Sequence, residues 1–229
     1  MKNIFSLLLV LTIFSSCKEN LNPDTNNQSL ELDQNKNLTT AQTIALKNGF
    51  NNWKDVSQIN FTFNVGRNGQ SAGGRQWTWK PKTNDVTMTS ITDTVSFNRN
   101  TLDSISMKHD AAFINDKFWL LAPFNLVWDS GTKISEKENQ IAPRSKDTLN
   151  MLTLTYSDEG GYTPGDAYDF YFGNDYIVKE WVFRKGNSPD ASMTTTWEDY
   201  ENFNGINIAK MHKADDGFEI YFTNVKVIK

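Results

Sequence analysis

Apolar residues fall on every second position through stretch after stretch of this chain, and a period of two is that of a β-strand with one dry and one wet face. The clearest case is Ile59, Phe61, Phe63 and Val65, with Asn60, Thr62 and Asn64 between them. The same spacing returns at Trp77 and Trp79, Val86 and Met88, Val95 and Phe97, Leu152 and Leu154, Phe170 and Phe172, Trp181 and Phe183, and Phe218, Ile220 and Phe222. The positions between them are mostly Thr, Asn, Asp or charged. Turn signals separate the stretches at Pro81 to Asp85, Gly173-Asn174-Asp175, Asn187 to Asp190 and Asp215-Asp216-Gly217. About ten strands of this kind predict one long antiparallel meander.

A sheet with one apolar face must cover it, and two segments with a different rhythm can do so. Thr39 or Thr40 can cap a helix in which Ile44, Leu46, Phe50, Trp53 and Val56 approximate a 3.6-residue repeat, predicted over 40–54. From Asp110 to Asp129 the chain reads DAAFINDKFWLLAPFNLVWD, dense enough for a helix or for two short helices broken before Pro123. The expected fold class is mainly β (α+β), a single curved antiparallel sheet covered by helices. With 229 residues, 38% of them hydrophobic, and 15 Phe and 7 Trp, the chain has material for one sizeable core.

The N-terminus carries an address. Lys2 is followed by an apolar run from Ile4 to Phe14, then Ser15, Ser16 and Cys17. The run is short of the roughly 20 apolar residues that span a bilayer and reads as a secretory signal. Phe14-Ser15-Ser16-Cys17 resembles a bacterial lipobox, with Phe14 where Leu is commoner, and the resemblance implies cleavage before Cys17 and acylation of its thiol. The plainer reading is a secretory signal with an incidental cysteine. Lys18 stands where an inner-membrane retention signal would show Asp, so the same resemblance points to the outer membrane. Glu19 to Asn37 is rich in Asn, Gln and Asp and reads as a flexible tether. The expected organisation is a signal peptide over 1–16, a lipidated cysteine and tether over 17–38, and a folded domain over 39–229.

Composition removes several functions. A net charge of −4 and a pI near 5.2 give no basic field for phosphates, so nucleic acid is not an expected partner. One cysteine makes neither an internal disulfide nor a thiolate zinc cluster. His109 and His212 lack the paired spacing of a zinc site and read as surface or hairpin residues. No P-loop, dinucleotide fingerprint or EF-hand string is present, so no cofactor is expected.

Two short motifs invite more. Gly69-Gln70-Ser71-Ala72-Gly73 matches a G-x-S-x-G nucleophile elbow, but an elbow stands between a strand and a helix, and here the chain runs straight into the Trp77 strand. An esterase would need His109 or His212 within hydrogen-bond reach of Ser71; the expectation is no enzyme. The loop DEGGYTPGDAYD, Asp158 to Asp169, gathers carboxylates and glycines without the spacing of a calcium loop, and reads as a long hairpin turn and second-ranked binding edge.

The order of helix, alternating strands, a central helical segment containing Leu-Leu-Ala-Pro at Leu120 to Pro123, and further hairpins resembles the open half-barrel of the LolA and LolB lipoprotein carriers. The stretches FINDKFWLLAPFNLVWD (113–129), GGYTPGDAYDFYF (160–172) and KEWVFRKGN (179–187) also look like an uncharacterised lipoprotein family of Bacteroidetes-type bacteria. The first resemblance implies a hydrophobic space between sheet and helices that could hold acyl chains or another apolar ligand. Its contacts would come from Phe61, Phe63, Trp77, Trp79, Met88, Leu152 and Trp181 on the dry face, and from Trp119, Leu121 and Phe124 on the cover. The expected function is an envelope lipoprotein, anchored to the membrane, that binds a lipid or hydrophobic small molecule. Alternatives are a glycan- or protein-binding surface module using the loops, and a structural lipoprotein whose core is filled by its own side chains.

Overall fold

The computed structural model describes residues 31–33 and 36–229. The signal segment, Cys17 and the tether as far as residue 30 lie outside the described residues. Chain order is α1 (Thr40–Lys47), a 3-10 turn (Phe50–Asp55), β1 (Gln58–Arg67), β2 (Gln70–Lys80), β3 (Asp85–Thr89), β4 (Thr94–Asn98), α2 (Ser106–Trp128), β5 (Thr132–Ile141), β6 (Thr148–Tyr156), β7 (Ala167–Phe172), β8 (Val178–Arg184), β9 (Met193–Thr196), β10 (Glu198–Phe203), β11 (Ile206–Lys213) and β12 (Phe218–Ile228).

All strand pairs are antiparallel, but the hydrogen-bond ladders are two. Seven strands run β10-β11-β12-β1-β2-β3-β4 and five run β5-β6-β7-β8-β9. Only Trp197 separates β9, bonded to β8, from β10, bonded to β11. Its N–H donates to the Lys179 carbonyl at 2.8 Å, so residues 193–203 form a bent lane that belongs to both ladders and joins them. The outermost strands, β4 and β5, are not bonded to each other. The result is the expected open, curved antiparallel sheet. It is not a pure meander, because β1 pairs with β12, and α2 carries the chain from one edge to the other.

The period-two pattern places the inner-face side chains of the strands it marks. Phe61 lies opposite Trp77 and Trp77 opposite Met88, which stacks three inner-face residues across neighbouring strands. Leu152, Phe170 and Trp181 do the same in the five-stranded ladder. β5 has no apolar alternation, and the sequence gives no hint of it; its residues are mostly exposed, with Lys133, Glu136, Lys137 and Glu138 on a sheet edge. Charges on an exposed edge discourage pairing with another chain.

The helix expected over 40–54 is two pieces. Thr39 caps α1 as proposed, accepting from the Gln42 N–H while its own N–H donates to Gln42 Oε1. The helix stops at Gly49, whose φ of 91° favours glycine and whose Cβ, if present, would lie 1.9 Å from the Gly205 carbonyl oxygen. The turn after it docks on the β10–β11 hairpin, with Asn52 Nδ2 donating to that carbonyl. Leu32, within the stretch read as tether, is buried and exchanges two backbone hydrogen bonds with the Asn51 side chain.

The central helix begins at Ser106, a turn earlier than expected, and is interrupted as Pro123 demands. Leu121 leaves helical geometry (φ −129°, ψ 23°). Every residue from Trp119 to Leu126 is buried, because the sheet lies on one side and α1 with its 3-10 turn on the other.

Candidate functional site

The ten residues expected to line the apolar interior converge. All are buried, and all belong to one continuous core between sheet and helices. They touch directly: Trp119 of α2 meets Trp181 of β8 at 4.4 Å between ring centroids, and Phe113 meets Trp77 and Trp79 at 5.4 and 5.3 Å. Phe124 packs edge-on against Phe50, while Trp53 bridges Trp79 and Trp128 at 5.2 and 4.9 Å. The sequence could name these rings but not Phe113, Trp53 and Trp128 as their partners across the interior.

Polar side chains fix the first part of α2. Asp116, fully buried, accepts from Arg75 Nε and Nη2 at 2.7 Å each, from Trp77 Nε1 at 2.8 Å and from Asn115 Nδ2. The bidentate hydrogen bonds raise the Arg75 pKa, and its guanidinium also lies 5.0 Å from the Phe63 ring centroid. One turn and a half earlier, buried Asp110 accepts from Arg99 Nε and from Tyr162 Oη, both at 2.7 Å. Tyr162 belongs to the glycine-rich loop, so that loop reaches from the five-stranded ladder to α2. The loop's last carboxylate, Asp169, lies in β7 and is held by Arg184, with Thr153 Oγ1 donating to it. A shallow open hollow lies over Ser157 to Gly160 at the start of the loop.

His212 corrects the sequence reading. It is not a surface residue: its ring is wholly buried between Trp119, Trp197 and Phe222, and Nδ1 faces the Thr196 carbonyl at 3.3 Å. Burial pushes its pKa down to about 3, against smaller upward pulls from the Thr196 and Trp119 backbone. The Trp119 carbonyl is the one that Pro123, lacking an N–H, leaves without its helical donor. Ser71 is exposed in β2, opposite Gly66, and its Oγ accepts from the Gly73 N–H at 3.3 Å. The strand continues past it to Lys80 with no helix following.

A feature the sequence reading missed lies on the inner stripe of α2. Phe113, Lys117, Leu120 and Leu121 are at most 2% exposed, and the ammonium of Lys117 lies 6.0 Å from the Trp79 and 5.5 Å from the Trp128 ring centroid. Its spacing from Phe113 and Leu121, four residues each way, was the available signal. Four buried indole N–H groups, those of Trp79, Trp128, Trp181 and Trp197, have no hydrogen-bond acceptor among the described residues. No group of His, Cys, Asp and Glu there could hold a metal ion, and no described helix is long and apolar enough to cross a membrane.

No family model and no curated protein matches the chain. Among solved structures it is similar to a LolA superfamily protein from Nitrosomonas europaea, at 13% identity and a TM-score of 0.48, over 84% of this chain and 95% of that one. It is also similar to a DUF1329 family protein from Desulfovibrio piger, at 9% identity and a TM-score of 0.46, over 82% of this chain and 91% of the other.

Proposed function

We propose that the protein is a non-enzymatic cell-envelope lipoprotein, anchored to the outer membrane through Cys17, that takes a lipid or other hydrophobic ligand between sheet and helices. The observation that carries the ligand is the set of four buried indole N–H groups without acceptors. A buried tryptophan ordinarily finds a partner for its N–H, and each unsatisfied group costs about 1–3 kcal/mol. A core built only to fill space is served as well by Phe or Leu. A ligand carrying oxygen acceptors among its apolar atoms would satisfy donors that the protein leaves open. The interruption at Leu121 and Pro123 supports entry, because the helix that covers the aromatic face has lost part of its backbone ladder there. The anchor, and kinship with the Bacteroidetes-type lipoproteins, rest on the sequence stretches described above.

The direct ring contacts between α2 and the sheet favour a second reading, a structural envelope lipoprotein whose core is its own. Native mass spectrometry with lipid extraction, on the full-length protein purified from a bacterial envelope, separates the two. The expected result is a one-to-one acyl-containing adduct that is not covalent and is lost on unfolding. A protein free of any such adduct, and unchanged in stability by added fatty acids, would leave the structural reading. The anchor has its own test: incorporation of labelled palmitate is expected in the full chain and not in Cys17→Ser.

A further inference from the structure

The outer face of β1 to β4 carries none of the charges found on the outer face of the other ladder. Alternation with the buried Phe61, Trp77 and Met88 turns Thr62, Gln76, Thr89 and Thr94 outward, and the register sets these four side by side across the strands. Asn60, Thr78, Thr87 and Ser96 form the next row. Neither row holds a charged residue, in a chain where 22% are charged. The charges in register with them stand at the margins, Lys226 opposite Asn60, and Lys80 opposite Asp85 one row further on. The outer face of the five-stranded ladder is built differently: Asp169 and Arg184 pair there, and Lys133 and Lys137 stand opposite Thr155 and Met151.

The rows are also ordered in advance. Thr87 Oγ1 and Ser96 Oγ lie 2.8 Å apart, and Asn224 Nδ2 donates to Thr62 Oγ1 at 3.2 Å. The Asn64 side chain, on the same face, donates to the Tyr221 carbonyl and to Thr223 Oγ1 at 3.1 Å each. Threonine has few rotamers, so little side-chain entropy is left to lose on binding. A hydroxyl has one proton and two lone pairs, so each keeps capacity for an outside partner.

We propose that this face is a docking surface for a neutral polysaccharide, whose hydroxyl groups exchange hydrogen bonds with the two rows. The inference concerns the outside of the sheet and is independent of the interior ligand proposed above. Groups that both donate and accept without net charge are complemented by a partner that does the same, and a sugar hydroxyl is such a group. A polyanion needs Lys or Arg, and a protein partner needs an apolar or aromatic centre; neither row supplies them. Within a row neighbours stand about 4.8 Å apart, and the two rows about 6.8 Å, a regular grid that an extended chain can follow over several sugar units.

The test is affinity electrophoresis of the full chain, in a detergent without a sugar headgroup, through gels cast with dextran, laminarin or galactomannan, and with polygalacturonate as the charged comparison. At least one neutral polymer is expected to retard the protein, and polygalacturonate to retard it less. The double variant Thr78→Val, Thr87→Val keeps the shape of the face and removes two hydroxyls, and should weaken the apparent affinity about tenfold or more. Thr155→Val, on the outer face of the other ladder, should leave it unchanged. Gln76→Ala, at an exposed position, decides the matter if the double variant does not fold. Migration of the folded protein unchanged by all three neutral polymers would overturn the docking surface and leave the interior ligand untouched. Retardation that survives the substitutions in the rows would put the sugar elsewhere and overturn it too. Stronger retardation by polygalacturonate would overturn the neutral partner.

Discussion

The two parts of α2 are held in different ways. Up to Phe118 the helix adds directional contacts to the ring contacts of Phe113 and Phe118: Asp110 with Arg99 and Tyr162, and Asp116 with Arg75 and Trp77. From Trp119 to Leu126 it is buried on every side and held by rings, with Trp119 on Trp181, and Phe124 on Phe50, Trp53 and Trp128. Hydrogen-bonded ion pairs set rotation and register, since few alternative geometries satisfy them. Ring packing gives more stabilisation but tolerates rearrangement. The interruption at Leu121 lies just beyond the boundary between these regimes, so the first part is the fixed arm and the second is the part able to repack.

Five variants test that contrast. The largest effect is expected from Phe124→Ala, a loss of about 4 kcal/mol, because the cavity opens in the ring-packed part; urea denaturation measures it. Arg75→Met should cost about 3 kcal/mol, because it leaves a wholly buried carboxylate without its cation, while Asp116→Asn should cost about 2 kcal/mol, since the freed guanidinium is partly exposed and can turn to water. Equal losses from the two would mean that the pair does not work by compensating a buried charge.

The third effect is one of pH. His212 is neutral in the fold, with its pKa pushed down to about 3, whereas the unfolded histidine titrates near 6.5. Its contribution is therefore fully present above about pH 6.5 and is lost as pH falls toward 3, by about 1.4 kcal/mol per pH unit. The urea midpoint of the wild type should fall more steeply than that of His212→Phe between about pH 6 and pH 4; parallel curves would show that the imidazole takes no part. The smallest effect belongs to Tyr162→Phe, about 1 kcal/mol or less, because the ring is half exposed and Asp110 keeps Arg99. Hydrogen exchange in the glycine-rich loop is the sensitive readout there.

The strands were legible because a period of two survives in any strand with one buried face. β5 was not legible: its stretch, TKISEKENQI, meets water on nearly all positions, so burial never imposed a pattern on it. The split at Gly49 depends on a carbonyl of the β10–β11 hairpin, which no local window contains. The seven interior residues on strands could be read from parity, since apolar side chains at alternate positions have only one place to go, whereas Trp119, Leu121 and Phe124 came from the half-barrel resemblance. Lys117 and His212 did not read as interior, because lysine is almost never fully buried and histidine only at times. It is the packing of α2 against both ladders that buries them, with the four-residue spacing of Lys117 from Phe113 and Leu121 as the one local signal.

One feature of the topology bears on how the chain reaches its fold. β12, the last eleven residues before the final lysine, lies between β11 and β1 in the interior of the sheet. Until β12 takes its place, the group β1 to β4 and the pair β10–β11 are not joined through it, and the seven-stranded ladder has no middle. Contacts between residues far apart in sequence form slowly. The joining of β1 to β12 across roughly 160 residues is therefore the step expected to limit how fast the sheet becomes one piece.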